Sequence, residues 1–136
     1  MATFGQLPVE LQQVTKGTDT YFLVSGSRDW GDKHVIEAAL QGIDLSWVLV
    51  HGNCRGADKI ADRIWRKLGG RTLPCPADWQ RGKHAGLQRN ELMLKDYQIT
   101  KAFCFCKNNS RGTVHMISLL RKAGVPIEVH DQNDDC

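Results

Sequence analysis

The chain has 136 residues, a length typical of one domain built around a single sheet. Its hydrophobic residues (41%) and charged residues (24%) are in the globular range and exclude a disordered or fibrous chain. The formal net charge of +3 is far below the dense Lys/Arg stripe that duplex-binding proteins use, so duplex DNA is not the expected partner.

Residues 1–19 have weak periodicity and are predicted to form an extension, whereas residues 20–136 form the domain. The start of the chain lacks the basic and apolar segments of a secretory signal, and no apolar run approaches the roughly 20 residues of a membrane span. The five cysteines are an odd number. We therefore expect a cytoplasmic protein that does not enter the membrane.

From Tyr21 onward, strand-sized apolar runs alternate with segments of helical period. The predicted strands are Tyr21 to Ser25, Trp47 to His51, Arg71 to Cys75, Ala102 to Cys106 and Pro126 to His130. Helical stripes are predicted over 35–43, 57–68, 85–95 and 116–123. This alternation predicts an α/β fold, a Rossmann-like parallel sheet of about five strands with helices on both faces.

Three loops that follow strands combine Gly with hydroxyl or amide side chains and an Arg; they are residues 25–30, 51–58 and 108–113. Glycine permits close backbone approach, and Arg binds phosphate bidentately. Because the carboxyl ends of parallel strands meet at one edge of a sheet, the three loops predict one phosphate-bearing ligand there. The loop 108–113 is the strongest phosphate candidate; its alternative is an ordinary turn with Ser110 or Thr113 as N-cap.

A fourth segment, residues 76–90, is rich in groups that can face the same cleft. Trp79 either stacks on a base or is a plain packing residue, while Lys83 and Arg89 are placed to meet phosphate. The predicted nucleotide-binding residues of all four segments are Gly26, Ser27, Arg28, Gly52, Arg55, Gly56, Asp58, Trp79, Lys83, Arg89, Asn90, Asn108, Ser110, Gly112 and Thr113.

Catalytic residues are less clearly marked; the weak candidates are Arg89, Asp58, Asp78 and His51. Asp58 suits either a ligand hydroxyl or the helix dipole, and His51 is either scaffold or an acid/base group. Cys104 and Cys106 would point to one face of a strand, but no C-x-x-C or close His pair completes a metal site. The sequence also contains no Walker or G-x-G-x-x-G motif, so no metal or cofactor is expected.

An ordered series of motifs adds a family resemblance over about residues 20–130. They are Val24-Ser25-Gly26-Ser27-Arg28, His51-Gly52 with Arg55-Gly56-Ala57-Asp58, Pro76-Ala77-Asp78-Trp79, Gly82-Lys83 with Ala85-Gly86, Arg89-Asn90 with Met93, and Arg111-Gly112-Thr113. The set resembles the YspA-like branch of the SLOG superfamily. That superfamily includes "Lonely guy" phosphoribohydrolases, DprA-type DNA-processing proteins and sensors of nucleotide-derived signals. The resemblance implies a Rossmann-like fold and a nucleotide-type ligand; because members often pair, it also allows a homo-oligomer.

The phosphoribohydrolase branch has the loop P-G-G-x-G-T-x-x-E, whose Glu pairs with an upstream Arg. In this chain Met116 stands at the Glu position, and Arg89 matches the Arg. Whether the protein is an enzyme therefore stays open, since losing a general acid/base typically costs about 10²–10⁴-fold in rate.

The leading hypothesis is a module that senses or sequesters a nucleotide. One alternative is a hydrolase of the phosphoribohydrolase or N-glycosidase type, in which Asp29, Asp58, Asp78 or His51 replaces the missing Glu. Another is a DprA-like module that binds single-stranded DNA by stacking bases on Trp30 and Trp79.

Overall fold

The computed structural model describes residues 19–108 and 110–132. Within them, strands and helices alternate along the chain. In order they are β1 (Tyr21–Gly26), α1 (Lys33–Leu40), β2 (Val48–His51), α2 (Ala57–Lys67), β3 (Arg71–Pro74), α3 (Ala85–Asp96), β4 (Ile99–Cys106), α4 (Arg111–Lys122) and β5 (Ile127–Asp131). A short 3-10 turn, Trp79–Arg81, precedes α3. Apart from Asp19, the predicted extension lies outside the described residues.

The strands form one parallel sheet in the order β3-β2-β1-β4-β5. The inner strands are buried on both faces, which is why they appear in the sequence as continuous apolar runs rather than alternating ones. The edge strands β3 and β5 are partly exposed. The predicted α/β, Rossmann-like fold is confirmed.

Two hydrophobic cores lie on opposite faces of the sheet. On one face α1 and α2 pack on β1, β2 and β4, and Trp65 is fully buried there with its ring centroid 5.0 Å from that of Phe22. On the other face α3 and α4 bury Met93, Met116 and Leu120. Helices therefore cover both faces, as predicted. None of the helices in the described part of the chain is long and apolar enough to span a bilayer.

Some element ends differ from the prediction. Helix α1 stops at Leu40, and Ile43 continues its apolar stripe only from a turn, in which the Ile43 N–H donates to the Leu40 carbonyl. Strand β4 begins at Ile99, because Ile99 is buried and pairs with Tyr21. Helix α4 begins at Arg111, five residues before the predicted stripe that starts at Met116, and Ser110 is its N-cap residue, one of the two N-cap positions predicted.

The strand order reverses between β1 and β4, which lie side by side while their connections run to opposite faces. In open parallel sheets such a point leaves a crevice at the carboxyl ends of the two strands. The loops after β1 and β4 border this crevice, and the loop after β2 lies next to them.

A candidate ligand-binding cleft

A cleft of about 790 Å³ opens at the carboxyl edge of the sheet, above the strand-order reversal. It is lined by the loops after β1, β2 and β4, the segment after β3 and the first turns of α3 and α4. Its volume lies in the usual range for small-molecule sites. Of the predicted nucleotide-binding residues, all except Gly56 line it.

The loops after β1 and β2 pack closely against each other at Gly26 and Gly56. A Cβ on Gly26 would lie 2.3 Å from the Ala57 Cβ, and a Cβ on Gly56 would lie 2.3 Å from the Ser27 carbonyl oxygen. Gly56 also has a φ of 82°, which side chains disfavour. The Ser27 carbonyl accepts a hydrogen bond from the Ala57 N–H at 3.2 Å. Gly56 therefore does not line the cleft but packs against the backbone of Ser27 and Arg28, which do.

The Arg89 side chain reaches from α3 across the ends of β2 and β3. Its Nη1 donates to the carbonyl of Gly52 and, at 3.2 Å, to that of Cys75. Its Nε donates to Asn90 Oδ1 at 3.0 Å, and Nη2 lies 3.8 Å from Cys54 Sγ. Because these acceptors are neutral, they hold the guanidinium in place without forming an ion pair with it.

Asn90 connects Arg89 with the first turns of α4. The Asn90 side chain is 4% exposed; besides accepting from Arg89, its Nδ2 lies 3.3 Å from the Gly112 carbonyl and 3.3 Å from His115 Nδ1. His115 also lines the cleft and was not predicted, since in the sequence it looks like any polar residue within a helix.

The first turn of α4 forms the anion-attracting end of the cleft. Ser110 is its N-cap residue, but the Ser110 hydroxyl hydrogen-bonds the Thr113 hydroxyl at 3.0 Å instead of capping a backbone N–H. Among the described residues, this turn has no acidic side chain, and a Cβ on Gly112 would meet no atom within 4 Å. An uncapped helix start carries partial positive charge, so the turn is open to an anion.

The loops after β1 and β4 are tied together across the cleft. Asn108 Nδ2 donates to Asp29 Oδ2 at 3.1 Å, over a sequence separation of 79 residues. Asn108 adopts a φ of 58°, a left-handed conformation that Asn tolerates better than most residues. This hydrogen bond connects the loop that carries Arg28 with the loop that leads into α4.

Positive charge is concentrated in the cleft. Two carboxylates line it, Asp29 and Asp58, against five cations, Arg28, Arg55, Lys83, Arg89 and Arg111. The local surplus of three equals the formal net charge of the whole chain, +3. Because these cations outnumber the carboxylates, an anion is drawn to the cleft.

Asp58 is the unusual carboxylate of the cleft. It is 4% exposed, and its Oδ2 accepts from the N–H groups of Gly52 at 3.0 Å and Cys54 at 3.3 Å. Its Oδ1 is buried without a hydrogen bond of normal geometry from any described residue. Burial raises the pKa of Asp58 to about 7, against the opposing effect of those N–H groups and of Arg89.

Two catalytic candidates from the sequence do not line the cleft. His51 is fully buried; its Nδ1 accepts from the Asn53 N–H at 2.9 Å, and its Nε2 lies 2.6 Å from Asp62 Oδ2 on α2. Burial lowers the pKa of His51, although Asp62 opposes this effect. Asp78 caps the 3-10 turn by accepting from the Gln80 N–H at 3.2 Å. Both side chains thus hydrogen-bond to neighbouring groups of the fold, outside this cleft.

Trp30 also lies away from any ligand surface. It is 3% exposed and packs against Phe105, with its indole nitrogen donating to the Asp32 carbonyl at 2.9 Å. The prediction that a base stacks on Trp30, made under the DNA-binding alternative, is therefore wrong. No group of three or more potential metal ligands occurs among His, Cys, Asp and Glu of the described residues.

Comparison with known proteins shows the family to which this chain belongs. Residues 20–82 match the YAcAr family, described as the YspA, cpYpsA-related SLOG family. The chain is 38% identical over 116 residues to the Gene 61 protein of Mycobacterium phage D29, covering 77% of this chain and 91% of that protein. The chain belongs to the YspA-related SLOG family. The predicted family resemblance is thus confirmed.

The fold of this SLOG protein is also found in a solved structure. It matches the X-ray structure of DNA processing protein A (DprA) from Streptococcus pneumoniae with a TM-score of 0.70 at 16% identity. The match covers 82% of this chain and 50% of the DprA chain. At this identity the likeness concerns the fold alone.

Proposed function

We propose that the cleft binds a nucleotide or nucleotide-derived molecule through its phosphate, and that the protein acts as a sensor or sequestering module. The observation that carries this proposal is the uncapped first turn of α4, open at Gly112 and surrounded by the cationic surplus of the cleft. Backbone N–H groups at a helix start and nearby guanidinium groups together form a phosphate site.

The sides of the cleft match the parts of such a ligand. The first turn of α4 and Arg111 receive the phosphate, while Arg89 supplies a fixed positive charge on the cleft wall. Membership of the SLOG family supports a nucleotide-related ligand over other phosphorylated compounds.

The test is a panel of nucleoside mono-, di- and cyclic phosphates and ADP-ribose, with melting temperature as the readout and chromatography of each mixture afterwards. A ligand that prefers the folded state raises the melting temperature by mass action. Arg111→Gln should weaken binding about ten- to a hundredfold, because a charge-assisted hydrogen bond is lost. Arg63→Gln, at an exposed arginine of α2 that does not line the cleft, is the matched control.

Single-stranded oligonucleotides belong in the same panel. Binding that weakens steeply with salt and requires several linked nucleotides would favour a DNA-binding role, because many phosphate contacts release many counterions. If no phosphate-bearing nucleotide stabilises the protein, the proposal is rejected.

A second candidate function, hydrolysis of a nucleotide, is favoured by Asp58. A carboxyl group that titrates near neutral pH can both accept and release a proton, as a general acid/base must. The position of the phosphoribohydrolase Glu is occupied by Met116, which is fully buried in the core, so a carboxyl group that lines the cleft, Asp58 or Asp29, would take over its role.

Chromatography distinguishes hydrolysis from binding. Recovery of free base or sugar phosphate that disappears in a folded Asp58→Asn variant would establish the enzyme. Intact recovery of a stabilising nucleotide would establish a binder.

A further inference from the structure

Trp79 is the most exposed of the four tryptophans and lies on the cleft wall. It is 51% exposed, whereas Trp30 and Trp65 are buried and Trp47 is partly buried against the core. Exposing half of an indole in water costs free energy that burial elsewhere would avoid, so this position calls for an explanation.

Local structure holds the indole in place. Asp78 caps the turn that carries it, and Gly82, with a φ of 109°, ends that turn by donating its N–H to the Trp79 carbonyl at 3.1 Å. Gly86, in the first turn of α3, leaves room for the ring: a Cβ there would lie 3.0 Å from Trp79 Cη2. Asp78, Gly82 and Gly86 thus all contribute to the position of the exposed Trp79 ring.

Arg28 lies over this ring. Its Cζ is 5.5 Å from the ring centroid, so a flat cation covers the surface that a flat nucleobase would use. A cation–π contact at an exposed site is weak. The neighbour of Arg28, Asp29, is bridged to Asn108 beside the first turn of α4, which keeps Arg28 near the proposed phosphate site.

We propose that Trp79 is the stacking platform for the base of the ligand, and that Arg28 leaves the ring for the phosphate when the base stacks. This inference rests on the proposed function. It narrows the ligand class to molecules that carry both an aromatic base and a phosphate. A nucleoside must displace Arg28 without offering it a new partner, and a sugar phosphate has nothing to stack.

The test compares AMP, GMP, CMP, UMP and ADP-ribose with ribose 5-phosphate and adenosine, by calorimetry and tryptophan fluorescence. We expect Trp79→Ala to weaken nucleotide binding about ten- to a hundredfold, because a stacking partner is lost, and Trp79→Phe to retain most of the affinity. Ribose 5-phosphate should bind wild type and Trp79→Ala alike. Leu45→Ala, at a leucine that is 48% exposed outside the cleft, is the control for loss of an exposed apolar side chain.

Arg28→Ala tests the exchange itself. It should weaken nucleotide binding but leave adenosine binding equal or stronger, since the ring is then uncovered. The stacking platform is overturned if nucleotides bind Trp79→Ala as tightly as the wild type and leave the fluorescence of the wild type unchanged. In that case the proposed function still stands. Failure of every nucleotide to bind the wild type would reject both.

Discussion

The Arg89 guanidinium occupies the space where Gly52 has no side chain. A Cβ on Gly52 would lie 2.8 Å from Arg89 Cζ and 2.8 Å from Nη1. The same guanidinium donates to the Gly52 carbonyl, and this hydrogen bond connects α3 to the residue that follows β2. The position of the charge in the cleft therefore depends on the absence of a methyl group.

Gly52→Ala is expected to impair binding more than folding. The backbone at Gly52 does not need a positive φ, so the methyl group acts by pushing away the flexible end of Arg89. We expect a loss of about 1 kcal/mol or less in unfolding free energy, within the range of ordinary substitutions. Nucleotide affinity should fall nearly as far as in Arg89→Ala. Denaturant unfolding and calorimetry measure the two effects, and equal affinity in wild type and Gly52→Ala would contradict this prediction.

Three glycines provide a graded test of backbone and contact effects. Gly42→Ala has neither a positive φ nor a neighbour within 4 Å and should be nearly neutral. Gly69→Ala, at a φ of 100° in open space, adds backbone strain of about 1–3 kcal/mol. Gly56→Ala adds to such strain a clash with the Ser27 carbonyl and should be the most destabilising. Urea unfolding of the three variants checks the order; a Gly56 variant as stable as the Gly69 variant would refute the contact.

The raised pKa of Asp58 predicts a pH dependence of stability. Between its ordinary value of 3.8 and about 7, the folded protein holds a proton that the unfolded chain has lost. Stability from this group is therefore present at low pH and lost as pH rises to about 7, by about 4 kcal/mol at most. The lowered pKa of His51 acts in the opposite direction, so the measurement is the difference between wild type and Asp58→Asn. That difference in unfolding free energy should fall from pH 4 to 7 and then level off; a constant difference would show that Asp58 is ionised throughout.

Ser110→Asp should move stability and affinity in opposite directions. A carboxylate at the N-cap of α4 can accept from the free N–H groups and favours the helix dipole, which adds about 0.5–1 kcal/mol of stability. It also occupies and repels the place of the phosphate. We expect a higher melting temperature and at least a tenfold loss of nucleotide affinity. Ser110→Ala, which removes the Thr113 contact without adding charge, is the control. Unchanged affinity in Ser110→Asp would locate the phosphate elsewhere.

Cys54 provides a chemical probe of the cleft. Among the described residues Cys54, Cys75 and Cys104 carry free thiols, and Cys54 lines the cleft. Burial raises the pKa of Cys104 to about 12 and also raises that of Cys75, which disfavours their reactive thiolates. Alkylation of Cys54 by iodoacetamide, followed by peptide mass spectrometry, should slow when a stabilising nucleotide is present. Equal rates with and without that nucleotide would place it outside this cleft.

The sequence was sufficient to predict most of the fold and the location of the cleft. Continuous apolar runs followed by glycine-bearing loops are distinctive of inner parallel strands, and the edge at which their loops meet follows from the chain direction. Arg89 and Asn90 also stood out, because both are polar beside the apolar residues of α3.

Side-chain direction was not predictable in the same way. His51 and Gly52 are adjacent in the sequence, yet the His51 ring turns toward Asp62 while Gly52 lines the cleft. Trp30 and Trp79 are equivalent by residue type, but Trp30 is buried in the core cluster that contains Phe105, whereas Trp79 is half exposed. Such outcomes depend on contacts between segments far apart in the chain, which local periodicity does not encode.

The surplus of cations in the cleft has a kinetic consequence. Because five cations line the cleft against two carboxylates, an approaching anion encounters an attractive field there and is oriented before contact. The association rate constant of an anionic ligand should therefore fall as ionic strength rises, while its dissociation rate constant changes less.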